Sequence, residues 1–199
     1  MGKTGKTGVK TGTPEKIFFG AGTIHKNLKY TVPEGQTAGS WNFEESIMGA
    51  TQGGSSISII PELVDIEADG VLVPTKGLKK KVGETAEMEI NFLEITKEII
   101  KSAVIGNEVT SPDNEYNHIV SKADISEGDY YDNIAFVGKT LAGKNIIVII
   151  ENVLCTSGLE KDNQNKEAGV LTCTFACHAD LDSDLDSLPY HIYYPKASA

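Results

Sequence analysis

Across residues 84–94 the side chains alternate in kind along the chain. Met88, Ile90 and Phe92 fall on one face of an extended backbone, and Glu87, Glu89 and Asn91 on the other. A period of two marks a strand with one wet face and one buried face. A sheet with an apolar layer behind it is therefore the first requirement on the fold. The pattern returns at Ser56, Ile57, Ser58 and Ile59, which start a long strand predicted over 55–67. Pro61 inside that strand predicts an edge position or a bulge, because proline has no N–H to give to a neighbour.

Further strands are predicted at 16–20, 23–31, 116–125, 133–141, 145–155, 166–179 and 190–194. Turn signals separate them: Ala21-Gly22, the Pro-rich and Gly-rich stretch 33–40, Thr51-Gln52-Gly53-Gly54, Ala68-Asp69-Gly70 and the hairpin Ala142-Gly143-Lys144. Residues 41–50 fit neither period. Residues 71–83 read as a loop holding Pro74, Gly77 and the lysines 79–81, 107–117 as a polar loop, and 180–189 as an acidic one. One helix is expected over about 96–104, capped by Thr96, with Ile99, Ile100, Ala103 and Val104 as its apolar stripe and Gly106 as its stop. Many short strands and one helix predict a mainly β protein, a sandwich or barrel with one flanking α-helix.

The chain of 199 residues suits one domain with arms. Lys3-Thr4-Gly5, Lys6-Thr7-Gly8 and Lys10-Thr11-Gly12 repeat one tripeptide. With almost no apolar side chains, residues 1–13 are expected to form a flexible arm, or one ordered only by a neighbouring chain. The β domain is then 14–195. The first 16 residues carry a net +3, which leaves −13 on the rest of a chain whose total is −10. All 18 basic residues are lysine. Grip on nucleic acid usually needs a basic patch and arginine's fork, so this acidic body is expected to repel a polyphosphate. No apolar run approaches the roughly 18 residues of a membrane span; neither membrane insertion nor a secretory leader is expected. Three cysteines, Cys155, Cys173 and Cys177, suggest no disulfide framework.

Motifs for chemistry fail on spacing. Gly5-Lys6-Thr7 and Gly138-Lys139-Thr140 lack the earlier glycine and the following helix of a phosphate loop. Gly20-Ala21-Gly22 is followed by His25 where a dinucleotide fingerprint needs its third glycine. Asp180, Asp182, Asp184 and Asp186 alternate, but no frame supplies the glycine and glutamate of a calcium loop. The four histidines, His25, His118, His178 and His191, are scattered. No catalytic residue, cofactor or metal is assigned, and a non-enzymatic role is expected.

From Pro14 onward the order of segments resembles the tail tube (major tail) proteins of long-tailed, non-contractile phages of Gram-positive hosts. The matching stretches are Phe19-Gly20-Ala21-Gly22-Thr23-Ile24-His25-Lys26-Asn27, Met48-Gly49-Ala50-Thr51-Gln52-Gly53-Gly54 and Pro61-Glu62-Leu63-Val64-Asp65-Ile66-Glu67-Ala68-Asp69-Gly70. Lys76-Gly77-Leu78-Lys79, Phe92-Leu93-Glu94-Ile95-Thr96-Lys97-Glu98, Tyr130-Tyr131-Asp132-Asn133-Ile134-Ala135, Glu151-Asn152-Val153-Leu154 and Thr174-Phe175-Ala176-Cys177-His178 follow in order. The resemblance implies a tail-tube-type β-sandwich. It implies a virion protein, assembled in the host cytoplasm, whose hexameric rings stack around a tape measure protein. Tail terminator and distal tail proteins would meet the ends, and DNA would pass through an acidic channel without sticking. Glu87, Glu89 and Asn91 are the first candidates to line that lumen; Glu62, Asp65 and Glu67 are the second. Loops 33–40 and 71–83 and the arm are candidate ring-to-ring contacts. The inner tube of a contractile tail, a phage-derived injection device and a pilus-like or adhesin-like β-domain are the alternatives.

Overall fold

Residues 146–150 are isoleucine or valine throughout, and they occupy the centre of the sheet. The computed structural model describes residues 8–10, 12–161, 165–166, 168–183 and 185–196. Its strands are β1 (Phe18–Lys26), β2 (Tyr30–Thr31), β3 (Ser40–Trp41), β4 (Thr51–Asp65), β5 (Lys79–Phe92), β6 (Gly106–Val109), β7 (His118–Ser121), β8 (Tyr131–Thr140), β9 (Asn145–Cys155), β10 (Leu171–Cys177) and β11 (Tyr190–Tyr193). Its helices are α1 (Phe43–Ser46) and α2 (Lys97–Ala103). Seven strands form one antiparallel sheet in the order β1-β8-β9-β10-β5-β4, with β11 added on β9. The mainly β expectation is met in that sense.

β9 divides its second edge between two partners. Ile147 to Ile150 pair with β11, while Val153, Leu154 and Cys155 pair with Cys177, Ala176 and Phe175 of β10. The changeover coincides with Asn152, whose φ of 49° is left-handed, a conformation asparagine tolerates better than most residues. Two groups of strands thus diverge from β9. Between them lies the main core, with Met88, Ile90 and Phe92 of β5, Leu171, Cys173 and Phe175 of β10, Ile134 of β8, Val148 and Ile150 of β9, and Ile99 and Ala103 of α2. The Phe92 and Phe175 rings meet edge to face, 6.3 Å apart. On the other side of β8 and β9, Ala135, Val137, Ile147 and Ile149 pack with Leu28, Trp41 and Phe43. A strand buried on both faces has no reason to alternate, hence the unbroken apolar run.

Residues 47–50 nearly close the sheet on itself. Ile47 bridges to His25, and the Met48 N–H donates to the Ile24 carbonyl of β1. On the other side the Ala50 carbonyl accepts from the Leu93 N–H, just past β5. This accounts for the segment that fitted neither period: it holds the end of β3, one helical turn and a clasp. The predicted helix is present as α2, with the Thr96 hydroxyl accepting from the Ile99 N–H at 3.3 Å. It stops at Val104 and Ile105, and Gly106 instead opens β6, which pairs with β7. The loop expected at 107–117 therefore begins as strand.

Two more expectations change. Thr51-Gln52-Gly53-Gly54 is not a turn but the bulged start of β4, where Gly53 and Gly54 take φ of 84° and 88°. Lysines 79–81 are not loop but the start of β5, opposite Leu63, Val64 and Asp65. The strands expected at 16–20 and 23–31 are mostly one strand, β1, with a bulge between Phe19 and Thr23. Most of the predicted arm, residues 1–7 and 11, lies outside the described residues.

The bulge in β1 gives a direct test. At Gly22 (φ 70°) an added Cβ would stand 2.4 Å from the Phe136 ring and 2.9 Å from the Val137 carbonyl oxygen, whereas at Gly20 (φ 90°) it would meet nothing. Gly20→Ala should cost only the left-handed backbone, ~1–2 kcal/mol. Gly22→Ala should cost that and a further ~1–3 kcal/mol of overpacking. Urea unfolding of the two variants measures the difference, and equal losses would contradict the packing described.

Candidate self-association surface

The outer face of β4, β5 and β10 is built by register. Glu87 lies between Ser58 of β4 and Ala176 of β10, and Glu89 between Ser56 and Thr174. Asn91 sits opposite Thr172, whose hydroxyl donates to Asn91 Oδ1 at 2.7 Å. The Asn91 amide donates in turn to the Gly54 carbonyl at 3.2 Å. Behind this face Met88, Ile90 and Phe92 are each 0% exposed, so the polar side chains stand on a rigid base. The first lumen set is thus brought together on one face. Sequence reasoning missed its neighbours Ser56, Ser58, Thr172 and Thr174. The alternation of Leu171, Cys173 and Phe175 with Thr172 and Thr174 was the available signal. Four hydroxyls, two carboxylates, an amide and the Ala176 methyl make up the paired positions here, and none is lysine.

The second set does not come together. Glu62 pairs opposite Gly83 and shares its side of β4 with Ser58 and Ser56. Asp65, three residues on, takes the opposite side, where Lys79 Nζ lies 2.7 Å from its carboxylate. Glu67 lies past the end of β4, in a hollow of about 190 Å3 at the hairpin tip. Residues 62, 65 and 67 do not obey a period of two, and a strand must separate them.

The tip belongs to an arm. β4 and β5 run past the core as a two-stranded hairpin in which every residue from 60 to 82 is exposed except the half-buried Leu78. Ile60, Leu63, Val64, Ile66, Val71, Leu72, Val73 and Val82 present apolar side chains to solvent along it. An isolated hairpin is marginally stable in water, and a contiguous apolar surface marks a contact site. The base of the arm is pinned by Glu84, which accepts from the Leu188 N–H at 2.8 Å and pairs with Lys81. Those interactions, Lys81 first, hold its carboxyl below the usual carboxylate range. β4 is also the terminal strand of the sheet, with Pro61 in it as an edge strand allows. Fifteen residues of strand therefore end the sheet on one side, a template for pairing with another chain.

Other groups offer weaker chemistry. Cys155, Cys173 and Cys177 are free and buried. Burial pushes the Cys177 thiol up to about 11. The neighbouring Cys155 thiol and burial raise Cys173 further. Reactive thiols need exposure and a positive neighbour, and this pair has instead a second thiol. Asp180, Asp182 and Asp186 are exposed, Asp184 lies outside the described residues, and no group of three or more potential ligands converges among the described residues.

His25 is the one buried histidine, 2% exposed. Its Nε2 lies 2.7 Å from the Thr23 hydroxyl and its Nδ1 2.9 Å from the Ser46 hydroxyl, which donates to the Asn42 carbonyl at 2.8 Å. That chain assigns the proton to Nδ1 and leaves a neutral ring accepting at Nε2. Burial lowers its pKa, against a smaller upward effect of the Phe43 carbonyl. The network ties β1 to α1. In sequence, the chain matches no family model and no curated protein.

A histidine whose folded pKa is lowered must take up a proton on unfolding in acid. Its contribution is complete above the unfolded value of 6.5 and is lost as pH falls below it. Stability to urea should therefore decline as pH falls through the unfolded value of 6.5 and below it, and His25→Gln should flatten that decline. An equal slope in both proteins would show that another group sets it.

Proposed function

We propose that this chain is the building block of a phage tail tube, stacking as rings around an acidic bore. The observation that carries the reading is the combination of a fifteen-residue terminal strand and a bare apolar arm beside a lysine-free polar face. Head-to-tail contacts that close make rings, and axial contacts that repeat make a filament. Edge pairing between copies removes the terminal edge.

Magnitudes favour a cooperative assembly over a simple dimer. Burying the arm's partly covered apolar side chains yields roughly 1 kcal/mol each. Eight of them give a sum comparable to the ~4–15 kcal/mol cost of association. One arm contact is therefore marginal, and edge pairing around a closed ring supplies the remainder.

The polar face then meets the bore. A carboxylate about 10 Å from a phosphate is opposed by only ~0.4 kcal/mol in water before screening. Single charges matter little, but every ring repeats them, and lysines in their place would hold the DNA. Small hydroxyls leave room and offer neutral contacts. Hexameric rings, the tape measure protein inside the tube, terminator and distal proteins at its ends and residence in the virion follow from the family resemblance.

Negative-stain microscopy of concentrated protein should show rings or tubes; a monomer at every concentration would end the reading. In assembled particles, Glu87→Lys with Glu89→Lys should leave tube length unchanged and slow DNA ejection, with the delay shrinking as salt is added. Unchanged ejection would remove this face from the bore.

A further inference from the structure

A hollow of about 400 Å3 opens on the side of β1 and β8 away from the main core. Phe43, Ile47 and Val137 form its walls, Glu44 and Lys139 stand on its rim, and His25 closes its floor. Both ring nitrogens of His25 are already engaged by Thr23 and Ser46, so the floor asks for no polar guest. Ile47 is nevertheless 51% exposed, an apolar side chain waiting in an open well. Among the described residues, neither Glu44 nor Lys139 makes an ion pair.

The arm tip is the complement of this hollow. Val71, Leu72 and Val73 project from it, and Leu72 is 95% exposed, the most exposed of the large apolar side chains described. Asp69 precedes this apolar triplet and Lys76 follows it, and neither makes an ion pair among the described residues. An apolar knob bracketed by an acid and a base faces an apolar well bracketed by a base and an acid.

We propose that the arm tip of one copy seats in the hollow of another, with Leu72 in the well, Asp69 facing Lys139 and Lys76 facing Glu44. The inference rests on the tube reading and specifies which two surfaces meet. The contact joins unlike surfaces, so each copy donates a tip and accepts one, and repetition gives an open stack instead of a closed pair. Opposed rim charges select the orientation of the tip, since the reversed insertion sets like charges together.

The test mixes two single variants, Leu72→Cys and Ile47→Cys, at a concentration where tubes form, with oxidised glutathione as the disulfide donor. Both positions are exposed, while the native cysteines are buried. A disulfide-linked pair between the two variants is expected in assembled material and not in dilute protein. Leu72→Asp should raise the concentration at which assembly begins by ~10-fold or more. Lys139→Glu should raise it roughly threefold, and adding Asp69→Lys to that chain should restore it. Tubes without the cross-link, or Leu72→Asp assembling at the wild-type concentration, would overturn this contact and leave the tube reading standing. A wild-type chain that never assembles would overturn both.

Discussion

The shared edge of β9 is the constraint from which the remaining structure follows. Because β11 takes one stretch of that edge and β10 the next, the strands beyond β10 turn away from β1, β8 and β9. The gap between the groups is filled by the aromatic and aliphatic side chains of β5, β10 and α2. The same divergence turns the second face of β5 outward, with its two glutamates in a field of hydroxyls. It also leaves β4 as the last hydrogen-bonded strand of the sheet. Core, polar face and terminal edge are three consequences of one change of partner.

Seen this way, the arm is not an ornament on a finished domain. Inside the core, each strand of the β4–β5 hairpin has an apolar layer behind it. Past Ile60 that layer ends while the apolar side chains continue. A chain that keeps Ile60, Leu63, Val64 and Leu72 outside its own core has placed them where only another surface can cover them. The Glu84 contacts at the base aim the hairpin without covering it.

What the sequence disclosed depended on whether its period was local. β5 was legible because one face is wet and the other dry, and Glu87, Glu89 and Asn91 were found together for that reason. β9 was recognisable as strand but not as the central one, since burial on both faces erases alternation. Gly53-Gly54 suggested a turn, yet their left-handed φ values serve a bulge inside a strand. Lysines 79–81 suggested a loop because both sides of the arm are wet and no alternation survives. Thr172 escaped notice because its bond to Asn91 joins residues 81 positions apart, a distance no local pattern encodes. Glu62 and Asp65 were grouped by sequence proximity, and the parity of the strand divides them.

The central claim is that the hairpin beyond the core is completed by other copies of the chain. Amide hydrogen exchange over residues 60–82, followed from dilute to concentrated protein, tests it most directly. Fast exchange is expected in dilute solution, with a slowing of ~10-fold or more on assembly, confined to this hairpin and the outer edge of β4. An arm already protected in dilute monomer, or exchange that does not change with concentration, would contradict it.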